Sequence, residues 1–328
     1  MLSRVADSFY WMSRYLERAE HSARVVEVYL GLTLDGDSDE AGQALLVSLG
    51  ALAPRTDGAV RAGVSAGAAV ADFVPPAERI DARFLEVVVR SITASRENAR
   101  NIREKISGEM WEQLNRMYLL VREAEREKVW SEEPGALVRA VIEGAHLFHG
   151  ITDSTLSHDE GWHYIQIGRF IERATTTAAL LEARFSTPSP KGHGVSSVTE
   201  DYAEWVALLR ACSAFEAYVR HYTADLRPER IAEFLLLNAE FPRSVRFVVD
   251  RVEDSLRAIA RSLGRPSNGR PERFAGKLRA ALNYSQIDEI MADNPLRYLE
   301  SIRKQCDQVH TALYQTYITY SIEAAIAN

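Results

Sequence analysis

Apolar side chains at Leu2, Val5, Phe9, Met12, Leu16, Ala19, Ala23, Val26 and Leu30 alternate by three and four without a break. Only an α-helix keeps such a seam on one face, so the chain opens with a helix of about eight turns. The same phase returns 155 residues later in Tyr164, Ile167, Ile171, Ala174, Ala178, Leu181 and Phe185. Each helix carries the same polar motif, Arg14-Tyr15-Leu16-Glu17-Arg18-Ala19 in the first and Arg169-Phe170-Ile171-Glu172-Arg173-Ala174 in the second. A weaker match sets Arg96-Glu97-Asn98-Ala99-Arg100 against Val252-Glu253-Asp254-Ser255-Leu256 at nearly the same offset.

These repeats, with no convincing strand pair, predict an all-α, internally duplicated multi-helix bundle whose halves are related by a pseudo-twofold. Residues 1–185 hold the first repeat and the start of the second motif helix. Residues 186–198, rich in Ser, Pro and Gly, form an exposed linker, and 199–328 complete the second repeat. One compact unit is expected, with the duplication starting near residue 157. Further helices are expected at 39–53, 80–106, 108–128, 134–151, 199–223, 228–238, 242–263, 272–283 and 294–325. The Val-rich stretches 86–89 and 247–249 sit inside longer helical periods and are read as helix. Residues 54–76, rich in Ala and Gly, are unassigned.

At 328 residues and 46% hydrophobic content the chain can bury a large core. No charged segment leads into an apolar leader, and no apolar run reaches the roughly 18 residues of a membrane span, so the expected location is the cytoplasm, with no membrane partner. A net charge of −7 argues against nucleic acid as a general partner. Of the basic residues 34 are Arg and five are Lys, which suits bidentate carboxylate or phosphate recognition and equally fits the codon usage of a GC-rich genome. Cys212 and Cys306 lack any metal or redox spacing and read as core residues.

With the seam at heptad positions a and d, Arg14, Glu17 and Arg18 face away from it, as do Arg169, Glu172 and Arg173. Two readings follow. The face is solvated and its Arg–Glu pairs are weak, or it is covered and the two motifs meet in one buried network that fixes bundle register or binds an anion. Trp11, on the same stripe, favours the covered face.

Residues 150–162 are dense in caps and turn formers at the start of the second motif helix. Ser157 and Glu160 have the spacing of a capping box, while Asp153, Asp159 and Glu160 are candidates for a polar pocket. Two Glu-x-x-His pairs, Glu143 with His146 and Glu160 with His163, raise a two-metal bundle site with Glu17 and Glu172. Glu160, His163 and Glu172 would share one helix, so no metal is expected. Nucleophile elbows and phosphate-binding loops are absent from the sequence. In the last helix, Leu299, Ile302, Cys306, Val309 and Leu313 read as core, followed by Tyr314, Tyr317 and Tyr320, also read as core rather than as a partner face.

Residues 1–20 (MLSRVADSFYWMSRYLERAE), with 95–100, 110–115, 150–162, 168–174 and 240–245, resemble the bacterial alpha-E domain family, helical proteins with Glu-Arg motifs. The resemblance covers most of the chain. Residues 54–84 match poorly, and Leu156, His158 and His163 depart from the family block Thr-Asp-Ser-Thr-Met-Ser-Arg-Asp-Glu-Gly-Trp-Arg, so it implies no metal role for either His. It implies association with circularly permuted ATP-grasp-type ligases and transglutaminase-like proteins, in peptide or amide synthesis or modification. ATP and Mg would then sit on the partner ligase, with no cofactor in this chain.

The candidate polar site is Arg14, Glu17, Arg18, Arg96, Glu97, Asn98, Arg100, Trp111, Asn115, Asp153, Asp159, Glu160, Trp162, Arg169, Glu172, Arg173 and Arg243. The expected role is that of a helical partner of an ATP-grasp-type ligase, holding an anionic substrate, product or ligase segment on these side chains. The alternative is a stand-alone enzyme with a carboxylate or metal-assisted active site in the bundle. Homo-oligomerisation is open.

Overall fold

The computed structural model describes residues 1–34, 80–127, 134–186, 195–223, 225–266 and 268–319. Among them every regular element is helical, and no strand occurs. The helices are α1 (Ser3–Leu34), α2 (Ile80–Asn101), α3 (Gly108–Glu127), α4 (Pro134–Thr155), α5 (Glu160–Ser186), α6 (Val195–Ala211), α7 (Phe215–Tyr222), α8 (Pro228–Leu237), α9 (Val245–Ser262), α10 (Arg270–Tyr284), α11 (Ile287–Asp293) and α12 (Pro295–Leu313). A short 3-10 turn, Arg103–Lys105, follows α2, and a π turn, Tyr314–Ile318, follows α12.

Helices α1 and α5, about 48 and 40 Å long at 1.5 Å per residue, form the axis of the bundle. Each is flanked by three helices in the same chain order. Helix α1 packs on α2 and α4, with α3 touching both; α5 packs on α9 and α12, with α10 touching both. The seam that defines α1 is fully buried at Met12, Leu16, Ala19 and Ala23. Its counterpart on α5 is buried at Ile167, Ile171, Ala174, Ala178 and Leu181, all in one continuous core.

Helices α1 and α5 also pack directly on each other. At their closest approach Gly168 lies against the Tyr10 carbonyl and the Ser13 hydroxyl, with no room there for a Cβ. The residues preceding Arg14 and Arg169 are therefore small because two backbones meet at that point. This contact brings the polar faces of the two motif helices together.

Several expected boundaries shift. The 80–106 helix stops at Asn101, and the described part of the expected 294–325 helix divides into α12 and the π turn, preceded by the unanticipated α11, while 320–325 lie outside the described residues. The 199–223 helix breaks in two. Ser213 adopts the left-handed region at φ 49°, its amide bonds to the Arg210 carbonyl, and the Ala214 amide bonds to the Leu209 carbonyl. That double closure is a Schellman ending without its usual glycine. The expected 39–53 helix, residues 54–76, most of the linker and Tyr320 lie outside the described residues. Of the other tyrosines, Tyr314 and Tyr317 pack against the core, and Cys212 and Cys306 are free and buried. No helix among the described residues is long and apolar enough to cross a membrane.

Candidate functional site

The polar face opposite the apolar seam is covered. Glu17 and Glu172 are 1% and 3% exposed, and each accepts from the arginine of the other helix. Arg173 donates to Glu17 through Nε at 2.6 Å and Nη2 at 2.9 Å, a bidentate fork. Arg18 Nε donates to Glu172 Oε1 at 2.5 Å. The pairing is reciprocal, since the Arg of each Glu-Arg dipeptide holds the Glu of the other.

Around Glu172 the shell is complete. Arg14 donates to Glu172 Oε2 from Nε at 2.8 Å, with Nη2 at 2.7 Å. Its Nη1 donates to the Tyr10 hydroxyl at 3.1 Å, which is in turn hydrogen-bonded to His310 Nδ1 at 2.8 Å. Burial alone would raise the Glu172 carboxyl, but Arg14 and Arg18 hold its pKa down at about 2. Burial raises the Tyr10 hydroxyl to about 12, and burial with the nearby Arg14 charge lowers His310 to about 4. At neutral pH this side is an ionised carboxylate between two guanidiniums, with a neutral tyrosine–histidine pair behind it. Trp11 closes it from outside, its indole N–H donating to the Tyr314 hydroxyl, which donates to Asp7.

The Glu17 side is larger and less regular. Arg169 Nε, Arg243 Nη1 and His149 Nε2 each lie 3.7 Å from a Glu17 oxygen. One turn along α1, the fully buried Glu20 takes a short contact from Arg243, with Arg24 Nη2 at 2.9 Å and His146 Nε2 at 3.1 Å. Burial would raise the Glu20 carboxyl, yet Arg243, helped by His146, Arg173 and Arg24, keeps it well below its ordinary range. Burial and neighbouring guanidiniums lower His149, and burial with Arg243 lowers His21 to about 4. Burial and Arg173 lower Arg169 to about 10, still cationic at neutral pH.

Arg243 reaches this cluster from the loop between α8 and α9. Asn238 Oδ1 accepts from the Glu240 and Phe241 amides, both at 2.8 Å, and Ser244 caps α9 by accepting from the Phe247 amide at 3.1 Å. So fixed, the loop offers the Pro242 carbonyl to Arg173 at 3.2 Å and the Arg243 carbonyl to Thr177 at 3.4 Å.

Of the sequence candidates, the structure brings together Arg14, Glu17, Arg18, Arg169, Glu172, Arg173 and Arg243. A second group stays on α2 and α3. Arg96 donates to Asn115 at 3.1 Å and Glu97 at 2.8 Å and lies over the Trp111 ring at 5.2 Å, Arg100 pairs with Glu97, and Asn98 bonds back to the Ala94 carbonyl. A third group sits at the start of α5, where the Trp162 indole donates to Asp153 at 3.2 Å and Glu160 accepts from Ser262 at 3.0 Å. The α5 cap differs from expectation. Asp159, not Ser157, receives the first-turn amide, that of Gly161, at 2.9 Å, because α5 begins at Glu160 and Ser157 lies two residues before its N-cap. The Glu97–Glu253 match is not one of environment either. The Glu253 side chain is 3% exposed between Arg257 and Arg279, whereas that of Glu97 is 41% exposed.

Glu20, Arg24, His149, Tyr10 and His310 join the cluster in addition to the sequence candidates. Glu20 was detectable, standing one turn beyond Glu17 on the same stripe. The Glu143–His146 pairing does not form a joint site: Glu143 is exposed, and His146 turns to Glu20. Glu17, Glu20 and His149 do place ligand atoms within 4.8 Å of one another, the spacing of a cation site. The charge around them opposes a cation, because Arg173 and Arg243 already occupy the carboxylates and Arg24 and Arg169 flank them.

The alpha-E family model, described as a predicted alpha-helical domain with a conserved ER motif, matches residues 1–318. The chain belongs to the Alpha-E family. The Glu-Arg dipeptides Glu17-Arg18 and Glu172-Arg173 are the two that cross-pair at the meeting of α1 and α5. Relatives include an uncharacterized protein of Mycobacterium bovis and two of Mycobacterium tuberculosis, each 27% identical over 307 residues. The match takes in 88% of this chain and 34% of each relative, so this Alpha-E chain spans about a third of their length. No solved structure matches.

Proposed function

We propose that this Alpha-E chain is the helical partner of an ATP-grasp-type peptide or amide ligase, and that its buried Arg/Glu cluster holds an anionic group of the substrate, product or ligase. The observation that carries the binding half is the charge balance. Among the described residues, Arg14, Arg18, Arg24, Arg169, Arg173 and Arg243 form the ion pairs of the cluster with Glu17, Glu20 and Glu172. Buried guanidiniums in excess of their carboxylates are stabilised by a further anion. Arg169 Nε, which no acceptor among the described residues reaches within hydrogen-bond distance, is the donor such an anion would meet.

The ligase half rests on the family resemblance, and the greater length of the mycobacterial relatives supports a helical region working beside other modules. In this reading ATP and Mg belong to the ligase, a transglutaminase-like protein is a further partner, and the complex is cytoplasmic. The two halves descend from one duplicated unit about a pseudo-twofold through Ser13 and Gly168. The reciprocal Arg–Glu pairs, the matching helix neighbours of α1 and α5, and the placing of His149 by Glu17 and His310 by Tyr10 and Arg14 support it.

A stand-alone acid–base enzyme is less well supported. Such a site needs a group titrating near neutrality. Glu172 and Glu20 are held ionised, and His21, His149 and His310 are held neutral. Co-purification with a cognate ATP-grasp-type ligase, and loss of ligase product with Glu172→Gln in a folded chain, are the expected results. Normal product from that variant would overturn the reading.

A further inference from the structure

The Glu17 side of the cluster contains polar atoms that its ion pairs leave unmatched. Among the described residues, Arg169 Nε and Arg24 Nε have no hydrogen-bond acceptor, while Glu20 Oε2, His149 Nε2 and His21 Nε2 have no hydrogen-bond partner, although all five atoms are buried. Buried polar atoms are almost always matched, so unmatched donors and acceptors in one place point to a ligand site. Those of Arg169, Glu20 and His149 share a node. Glu17 Oε2 lies 3.7 Å from both Arg169 Nε and His149 Nε2, beyond hydrogen-bond reach, and Glu17, Glu20 and His149 hold atoms within 4.8 Å of one another.

The mixture narrows the chemistry. A cation would leave Arg169 unanswered and face four guanidiniums. A simple oxyanion would satisfy Arg169 but leave Glu20 Oε2 bare and bring like charge towards it. A group carrying both a carboxylate and an ammonium answers the three orphans of this node, with the carboxylate on Arg169 and the ammonium donating to Glu20 Oε2 and to the neutral His149 imidazole. We propose that this node binds the paired α-carboxylate and α-ammonium of an amino acid, either free or joined to a larger molecule through its side chain.

This assignment rests on the anion reading above and names its ligand class. It fits an amide-forming system, whose building blocks carry such groups. The node lies one side chain beneath the surface. His146, 56% exposed, touches Glu20 directly, and Arg24 and Arg169 are 12% and 18% exposed, so displacing His146 opens the way in.

The full chain is titrated near neutral pH with L-alanine, acetate and methylammonium, with binding followed by calorimetry and by the thermal midpoint. L-alanine binds saturably and raises the midpoint, acetate binds more weakly, and methylammonium does not bind. Arg169→Gln and Glu20→Gln each weaken L-alanine by about tenfold or more, the worth of a charge-assisted hydrogen bond, and Arg169→Lys restores part of the loss. If a variant fails to fold, the ligand series on the unaltered chain decides alone. Acetate binding as tightly as L-alanine would overturn the amino-acid assignment and leave the anion reading standing. Silence from all three probes would overturn both.

Discussion

Arg173 holds Glu17 in a bidentate fork across α1 and α5, with both side chains buried and the third guanidinium nitrogen on the Pro242 carbonyl. The pair ties α1, α5 and the α8–α9 loop into one unit. Removing either partner leaves the other charged and dry, which costs about 3–5 kcal/mol for a buried pair. Glu17→Ala and Arg173→Ala should each lower stability by that order in urea unfolding. The double variant should lose clearly less than the sum, because the two changes delete one interaction. Additive losses would show that the fork contributes little.

Acid should destabilise the fold in two stages. His21 and His310 have folded pKa values of about 4, below the ordinary 6.5, so the unfolded chain binds protons there first. Their contribution is complete above about pH 6.5 and is lost as pH falls towards 4. Glu172, at about 2 against an ordinary 4.5, adds stability that is complete above 4.5 and is lost between 4.5 and 2. The urea midpoint should therefore already fall between about pH 6.5 and 5, and His21→Gln should flatten that part of the curve. A midpoint constant over this interval would contradict the neutral, buried histidines.

How much of this was legible depended on the range of the interaction. The seam from Leu2 to Leu30 specified α1 because helix period is local. The phase of Glu17 and Glu172 showed that both leave that seam, and the identical motif joined them as candidates. What covers their face was not local. His146 meets Glu20 across 126 residues, and Tyr10 meets His310 across 300, with no spacing signal to connect them. Helix ends show the same contrast. Gly264, at φ 63°, ends α9 by the same double closure that Ser213 makes after α6. The glycine marked its break in the sequence, whereas Ala211-Cys212-Ser213-Ala214 reads as continuing helix. Arg96 and Trp111 lie in motifs like those of the cluster, yet α2 and α3 hold them in a patch of their own.

Ser244 should affect the cluster without touching it. Its hydroxyl caps α9 and bonds to the Asn238 carbonyl, fixing the loop that carries Arg243. Ser244→Ala should cost about 0.5–2 kcal/mol, the usual loss for an N-cap. Ser244→Asp keeps a capping acceptor and should recover the helix, though not the bond to Asn238. Proton exchange of the α9 first-turn amides, measured by NMR, would report the loss directly, and unchanged protection in Ser244→Ala would refute the capping role.

Two glycines give opposite predictions from one substitution. Gly31 lies exposed in α1 with nothing near the position of a Cβ, and Gly168 lies against the Tyr10 carbonyl and the Ser13 hydroxyl. Alanine at Gly31 restricts the unfolded chain and improves helix propensity, a gain of about 0.5–1 kcal/mol. Alanine at Gly168 must push two backbones apart, and overpacking of that kind costs about 1–3 kcal/mol. The second change also separates the helices that carry Glu17 and Arg173, and Arg18 and Glu172, on opposite sides of one contact. Gly168→Ala should therefore lower the urea midpoint and weaken ligand binding together, while Gly31→Ala raises the midpoint and leaves binding unchanged. Equal effects of the two substitutions would mean that the close approach of α1 and α5 does not set the geometry of the cluster.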